Sequence, residues 1–234
     1  MPTLSIIIPA YNEAPTIREI VRRVMQVPFG TDFEIIIVDD HSRDKTGEIL
    51  RALKVEDTTG RIRVLSNEVN RGKGHSIQRG LEVASGEVVV VQDADFEYDP
   101  AELPGLLEPI LKGGAAVVYG SRFLKARRPE GMALPNYIAN VFLTGVTNLL
   151  YGCRLTDMET CYKLVRMDLI RSLGLRADRF DFEPEITTKL VKKGLRIKEM
   201  PISYSGRSAS EGKKIKARDF FIALKVLFRN RFSR

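Results

Sequence analysis

Residues Val88–Pro100 read VVVVQDADFEYDP, four β-branched residues followed by three carboxylates spaced two apart, Asp93, Asp95 and Glu97. A short continuous apolar run bounded by turn residues predicts a strand buried on both faces, as parallel strands are. Side chains two apart on extended backbone point the same way, so Asp93 and Asp95 project together where the strand opens. Hard oxygen donors at that spacing suit Mg²⁺ or Mn²⁺, with Glu97 as a third ligand or a supporting contact. The same residues also fit a plain strand turn in which Asp99 caps a helix beginning at Pro100.

Working outward, LSIIIPA, FEIIIVDD, IRVLSN, GEVVVVQDAD and AAVVYGS are all short apolar runs with polar ends. Helical candidates begin near Glu13, Lys45, Gly74 and Pro100, and this alternation predicts an α/β fold, a mostly parallel central sheet with helices on both faces. Ligands of open α/β sheets bind beyond the carboxyl ends of the strands, which here carry PAYNEA, DDHSRDKT, NRGKG, DADFE and GSRF. Asp40 is placed to accept from a ribose hydroxyl or a base edge, and Asn12 to cap the first helix. The glycines around Lys73 in NRGKG permit close backbone approach and free amides at a helix start, where phosphate binds. Neither GxGxxG nor GxxxxGK[ST] occurs, so nicotinamide-binding and P-loop folds are poorly supported.

Length and composition fit one domain: 234 residues, 44% hydrophobic and 29% charged. The expected division is one main domain over 1–215, in two halves (1–120 and 121–215), then a basic amphipathic helix over 216–234. Cys153 and Cys161 lack the spacing of a redox pair or a zinc site. No apolar run reaches the roughly 18 residues of a spanning helix, and the N-terminus reads as a first strand and not as a leader. The net charge is +7, and the segment from Gly206 onward holds nine basic and two acidic residues, so all the excess lies there. Such segregation argues for an anionic partner. Aromatic residues are not interleaved with the charges as a nucleic-acid platform requires. Phe220, Phe221, Leu224, Leu227 and Phe228 are expected on one helix face.

The motifs IIIPAYNEAPTI, IIIVDDHSRDKTGEI, NRGKGHSIQRGLEVASGE, DADFEYDP and GSRF, in this order, resemble the family 2 glycosyltransferases, which have the GT-A fold. TDMETCYKLVR and RSASEGKKI further resemble the branch containing dolichyl-phosphate mannosyltransferase and polyprenyl-phosphate glucosyltransferases. The resemblance implies a nucleotide-sugar donor of the GDP-mannose or UDP-glucose type, with Pro9, Tyr11, Glu13 and Asp40 around the nucleoside. It implies Asp93 and Asp95 on a divalent metal, with Glu97 nearby, where dolichyl-phosphate mannosyltransferases often have glutamine. Arg122, Arg207, Lys213 and Lys214 are candidate phosphate clamps, with Ser210 in the same basic loop. Asp157 is the candidate base for a hydroxyl acceptor. A lipid monophosphate is already largely anionic at neutral pH and needs no strong base. The expectation is therefore an inverting hexosyltransferase acting on a polyprenyl phosphate, held peripherally at the cytoplasmic membrane face by the basic helix. Packing on the sheet, a homodimer contact or an integral-membrane partner is the other use for the apolar helices.

Overall fold

The computed structural model describes residues 3–207 and 217–232. Seven strands form one sheet in the order β3-β2-β1-β4-β6-β5-β7. β1 (Leu4–Ala10), β2 (Phe33–Asp39), β3 (Ile62–Ser66) and β4 (Val88–Val91) are mutually parallel. β5 (Val117–Ser121) runs parallel to β7 (Lys198–Pro201), and β6 (Lys163–Arg166) lies antiparallel to both β4 and β5. Every residue of β2 and β4 is buried, so helices cover both faces of the sheet's centre, as the apolar runs predict. Pro9 is tolerated because β1 outruns β4: their last pair is Ile7 with Val91, so Pro9 has a strand neighbour on one side only.

The covering helices are α1 (Ile17–Gln26), α2 (Thr46–Glu56), α3 (Lys73–Val83) and α4 (Leu103–Leu111). In α1, Ile17, Ile20, Val21 and Val24 form the buried stripe at helical spacing, while Glu19 pairs outward with Arg22 and Arg23. This helix starts later than the sequence suggests. Asn12 does not cap it; at φ 51° its side chain accepts from Arg43 N–H, and its own N–H donates to Ser42 Oγ, fastening the first loop to the second. Asp99 does cap the next turn, accepting from Ala101 N–H ahead of Pro100.

The second half adds α5 (Leu134–Tyr151), α6 (Met167–Arg171), α7 (Phe182–Lys192) and α8 (Ala217–Phe232). α8 packs across α5 and α7, where Ala223 and Leu227 join Leu143 and Met158 in a small second core. Phe220 and Leu224 border that core, but Phe221 and Phe228 do not share their face; with Phe232 they point outward, 67%, 47% and 79% exposed. The expected single face is thus divided, because Ala223 and Val226 supply the close contact that bulkier phenylalanines would prevent. Among the described residues no helix is long and apolar enough to cross a membrane.

Candidate active site

The strand order reverses between β1 and β4, and the crevice at such a switch point is where α/β sheets bind ligands. The structure brings the ends of these two strands together there. After β4, Asp95 is buried, one oxygen accepting from Glu97 N–H at 2.9 Å and the other from Arg207 Nη2 at 2.6 Å. Glu97 accepts from Arg207 N–H and from the Tyr204 hydroxyl, each at 2.9 Å. Arg207 Nη1 also lies 3.6 Å from Glu13, the buried carboxylate that follows β1. One guanidinium thus spans the two halves of the crevice. Burial, with Asp93 alongside, pushes the Asp95 carboxyl up to about 7 even against Arg207.

Asp93 faces the other cation. Lys73, the first residue of α3, places Nζ 2.7 Å from Asp93 and 3.5 Å from Glu183. Burial favours neutral forms of both partners, but their mutual attraction wins, lowering Asp93 and raising Lys73 well above its ordinary value. The glycines of NRGKG do serve close approach, but toward the protein itself. A Cβ on Gly74 would stand 2.2 Å from Ala177 O, and one on Gly72, at φ +106°, would stand 2.5 Å from Asp178 O. Asp40 holds this loop from beneath: its carboxylate accepts from Asn67 Nδ2 and from the backbone N–H groups of Arg71 and Gly72. Both oxygens of Asp40 are therefore engaged by the chain. Tyr11 stands half-buried at the crevice's β1 side, and Pro9 lies just within the strand.

Asp157 and Arg122 meet as an internal pair. Asp157 is fully buried and accepts from Arg122 Nε at 2.7 Å, Nη2 at 2.7 Å and the backbone N–H at 3.0 Å. Despite the cost of its burial, Arg122 is held charged by this partner. Its guanidinium carbon lies 5.2 Å from the Tyr204 ring centre, so the pair reaches the crevice through Tyr204 and Glu97. Ser210, Lys213 and Lys214 lie outside the described residues.

The proposed metal ligands fit a divalent ion by their donor set, since Asp93, Asp95 and Glu97 are hard oxygen donors. Among the described residues, however, no three side chains converge as a preformed metal cage. Arg207 stands in as the cation against Asp95 and Glu97, and Lys73 against Asp93.

The seven-stranded, mostly parallel sheet with its acidic crevice at the switch point is the GT-A class of α/β fold. Glucosyl-3-phosphoglycerate synthase from Mycobacterium tuberculosis, solved with Mn²⁺, uridine diphosphate and phosphoglyceric acid, superposes with TM-score 0.73 over 100% of this chain and 80% of that one, at 23% identity. The chain belongs to glycosyl transferase family 2, whose profile matches residues 5–174. Among its relatives is the dolichol-phosphate mannosyltransferase of Pyrococcus furiosus, 28% identical over 97% of this chain and 63% of that protein. Another is the UDP-N-acetylglucosamine–dolichyl-phosphate N-acetylglucosaminyltransferase of Methanococcus voltae, 28% identical over 96% of this chain and 93% of that protein. The chain therefore spans under two thirds of the Pyrococcus protein's length.

Sequence reasoning missed Glu183, Lys163 and Glu159, which extend the charged floor from Lys73. Lys163 Nζ pairs with Glu183 at 2.5 Å and also donates to Thr160 O. Nothing in the local pattern announces a pair separated by 20 residues and joined only by folding. Glu159 Oε1 is buried without a hydrogen-bond partner, and burial raises its carboxyl to about 7. A carboxyl that stays protonated longer when folded stabilises the fold fully below its unfolded value of about 4.5 and loses that contribution as pH rises through about 7. Glu159→Gln is expected to melt higher than wild type at pH 8 and alike at pH 4; equal melting curves at pH 8 would refute the assignment.

Proposed function

We propose that the chain transfers a hexosyl group from a nucleotide sugar to a polyprenyl phosphate, inverting the anomeric carbon. The observation that carries this reading is the arrangement of Lys73 and Arg207 on Asp93, Asp95 and Glu97 at the switch point. Two cations already poised over buried and partly buried carboxylates can turn onto a diphosphate as it arrives. A divalent ion held by Asp93 and Asp95, with Glu97 beside them, would supply charge stabilisation to the departing diphosphate. Glu13 and Tyr11 would face the nucleoside, and Asp40 would shape its pocket by fixing the loop from Asn67 to Gly72.

An oxygen of the acceptor phosphate attacks the anomeric carbon as the bond from that carbon to the diphosphate breaks. The nucleoside diphosphate leaves with the electron pair. No base is required, because a monophosphate with a second pKa of about 6 is already anionic. The geometry of Asp157 favours this acceptor over a saccharide hydroxyl: both its oxygens are taken by Arg122 and neither is placed to collect a proton. The names of the Pyrococcus and Methanococcus relatives, a dolichol-phosphate and a dolichyl-phosphate transferase, point the same way.

Such an acceptor stays in its bilayer, and the chain has a face suited to meet it. Leu134, Ile138, Val141, Phe142 and Leu149 are exposed along one side of α5, and Phe221, Phe228 and Phe232 along α8. Phe142, Phe220 and Phe221 join the two, with ring centres 5.8 and 5.4 Å apart. Arg218, Lys225, Arg229 and Arg231 on α8 add the positive charge that an anionic surface attracts. Incubated with Mn²⁺, labelled sugar nucleotides and washed membrane lipid, the protein is expected to yield an acid-labile labelled glycolipid. Label confined to water-soluble glycan would reject the lipid acceptor, and tight nucleotide binding without turnover of any donor would favour a sensor.

A further inference from the structure

Two carboxylates lie in the first turn of α7, and the chain treats them differently. Glu185 is engaged on both oxygens: one accepts from the N–H groups of Arg176 and Ala177, at 2.9 and 2.7 Å, and the other pairs with Lys189 at 2.7 Å. Glu183 Oε2 is held by Lys163, which also donates to Thr160 O. Glu183 Oε1, in contrast, is buried and accepts no hydrogen bond among the described residues. A buried carboxylate oxygen left unpaired carries a cost, and folds retain few of them. The cation facing this oxygen is Lys73, whose Nζ is 3.5 Å away; the same Nζ lies 2.7 Å from Asp93 Oδ1 and 3.7 Å from Cys161 Sγ.

Only the side chain of Lys73 is free to choose between these acceptors. Its backbone is pinned to the stretch before α7, because Gly72 and Gly74 press on Asp178 and Ala177, and His75 N–H donates to Asp178 O at 3.0 Å. Glu185 ties that stretch to α7 in turn. The main chain of Lys73 is thereby set relative to Glu183, while its flexible four-carbon stem can still move the ammonium. Closing 3.5 Å to an ordinary charged hydrogen bond takes a shift of about 0.7 Å. Lys73, Lys163, Asp93 and Glu183 together carry two charges of each sign. A further cation at Asp93 repels Lys73, and an ammonium driven off a buried partner is costly unless another acceptor receives it. Glu183 Oε1 is such an acceptor, already in place.

Building on the nucleotide-sugar reading, in which Asp93 holds a divalent ion, we propose that Glu183 receives Lys73 when Asp93 gives it up, and so acts as a positioning residue for metal loading. Lys73 keeps its place in the crevice, and Asp93 is freed without the loss of a buried ion pair. The test is the Mn²⁺ affinity of the full chain without nucleotide, read from the electron paramagnetic resonance of unbound Mn²⁺, with melting curves alongside. Lys73→Met is expected to tighten Mn²⁺, since no internal cation then has to leave. Glu183→Gln is expected to weaken Mn²⁺ about tenfold in the wild-type background and to change it less than about threefold in Lys73→Met, where nothing needs receiving. Glu183→Asp, which keeps the charge but withdraws the oxygen by one methylene, is expected to weaken it too. Equal affinity in wild type and the Glu183 variants overturns the proposal, and so does an equal loss with and without Lys73, which would make Glu183 a source of field alone. Affinity no tighter in Lys73→Met overturns it even where a Glu183 variant fails to fold. If wild type binds no Mn²⁺, or Asp93→Asn binds it as tightly, the metal reading of the crevice fails and takes the proposal with it. Affinities that follow Lys73 and Glu183 as expected, in a protein that transfers no sugar, uphold the proposal and reject the transferase instead.

Discussion

Asp95→Ala is expected to lower sugar transfer by about 10³-fold or more while the protein keeps its fold. The size follows from the place of the group in the proposed reaction: a buried carboxylate at the switch point, beside Asp93, would act where the charge of a departing diphosphate concentrates. The survival of the fold follows from what Asp95 leaves behind. Arg207 keeps its backbone N–H on Glu97 and its guanidinium near Glu13, so the change strands no unpaired charge. Glu97→Gln is the contrasting variant. Its carbonyl oxygen can still accept from Arg207 N–H, and its amide can donate to the Tyr204 hydroxyl in a reversed bond, so activity within about tenfold of wild type is expected. Initial rates at saturating donor, read beside circular-dichroism melting curves, check both. Asp95→Ala within tenfold of wild type would remove Asp95 from the chemistry.

Much of this site was legible because strand ends are. VVVVQDADFE declares by its apolar run where β4 must be buried, and by its alternation that Asp93 and Asp95 leave it together. The same logic placed Glu13 and Asp40 at neighbouring strand ends, and the parallel sheet brings those ends to one edge. What the pattern does not carry is the partner of each charge. Lys73 reads as a phosphate ligand beside two glycines, yet those glycines exist because residues 177–179 press against them, a contact across about a hundred positions. Asp40 reads as a ribose acceptor, yet three donors from residues 67–72 fill it. Carboxylates and cations advertise only that they need partners when buried; which ones they find is decided by topology.

The C-terminal helix illustrates the complementary difficulty. Periodicity groups Phe220, Phe221, Leu224, Leu227 and Phe228 as one broad apolar face, and a helix that is apolar on more than one side has two surfaces to satisfy. α7 and α5 take one of them through Ala223, Val226 and Leu227. The second stays open, and it adjoins the exposed stripe of α5. Packing and the proposed membrane contact are therefore not rival uses of this helix, since they would fall on different sides.

The largest expected effect on stability belongs to Asp157→Ala. Asp157 is wholly buried, and its carboxylate receives three hydrogen bonds from Arg122 alone. Removing it leaves a buried guanidinium without its counter-charge, a loss of about 3–5 kcal/mol for a broken buried pair. At roughly 2–4 °C per kcal/mol for a domain of this size, melting should fall by about 10 °C or more. The pair also fastens three parts of the sheet's edge. Arg122 follows β5, Asp157 precedes β6, and Glu199 of β7 accepts from the N–H groups of both Thr156 and Asp157. Replacing both partners with apolar residues, Arg122→Met with Asp157→Leu, removes the stranded charge and is expected to regain most of the lost melting temperature. It is not expected to regain transfer, because the guanidinium that bridges toward Tyr204 is gone. A double variant that recovers stability and activity together would assign the pair to structure alone. If Asp157→Ala instead melts like wild type but loses hydroxyl-directed transfer with a shifted pH profile, Asp157 is a base, and the phosphate acceptor must be abandoned.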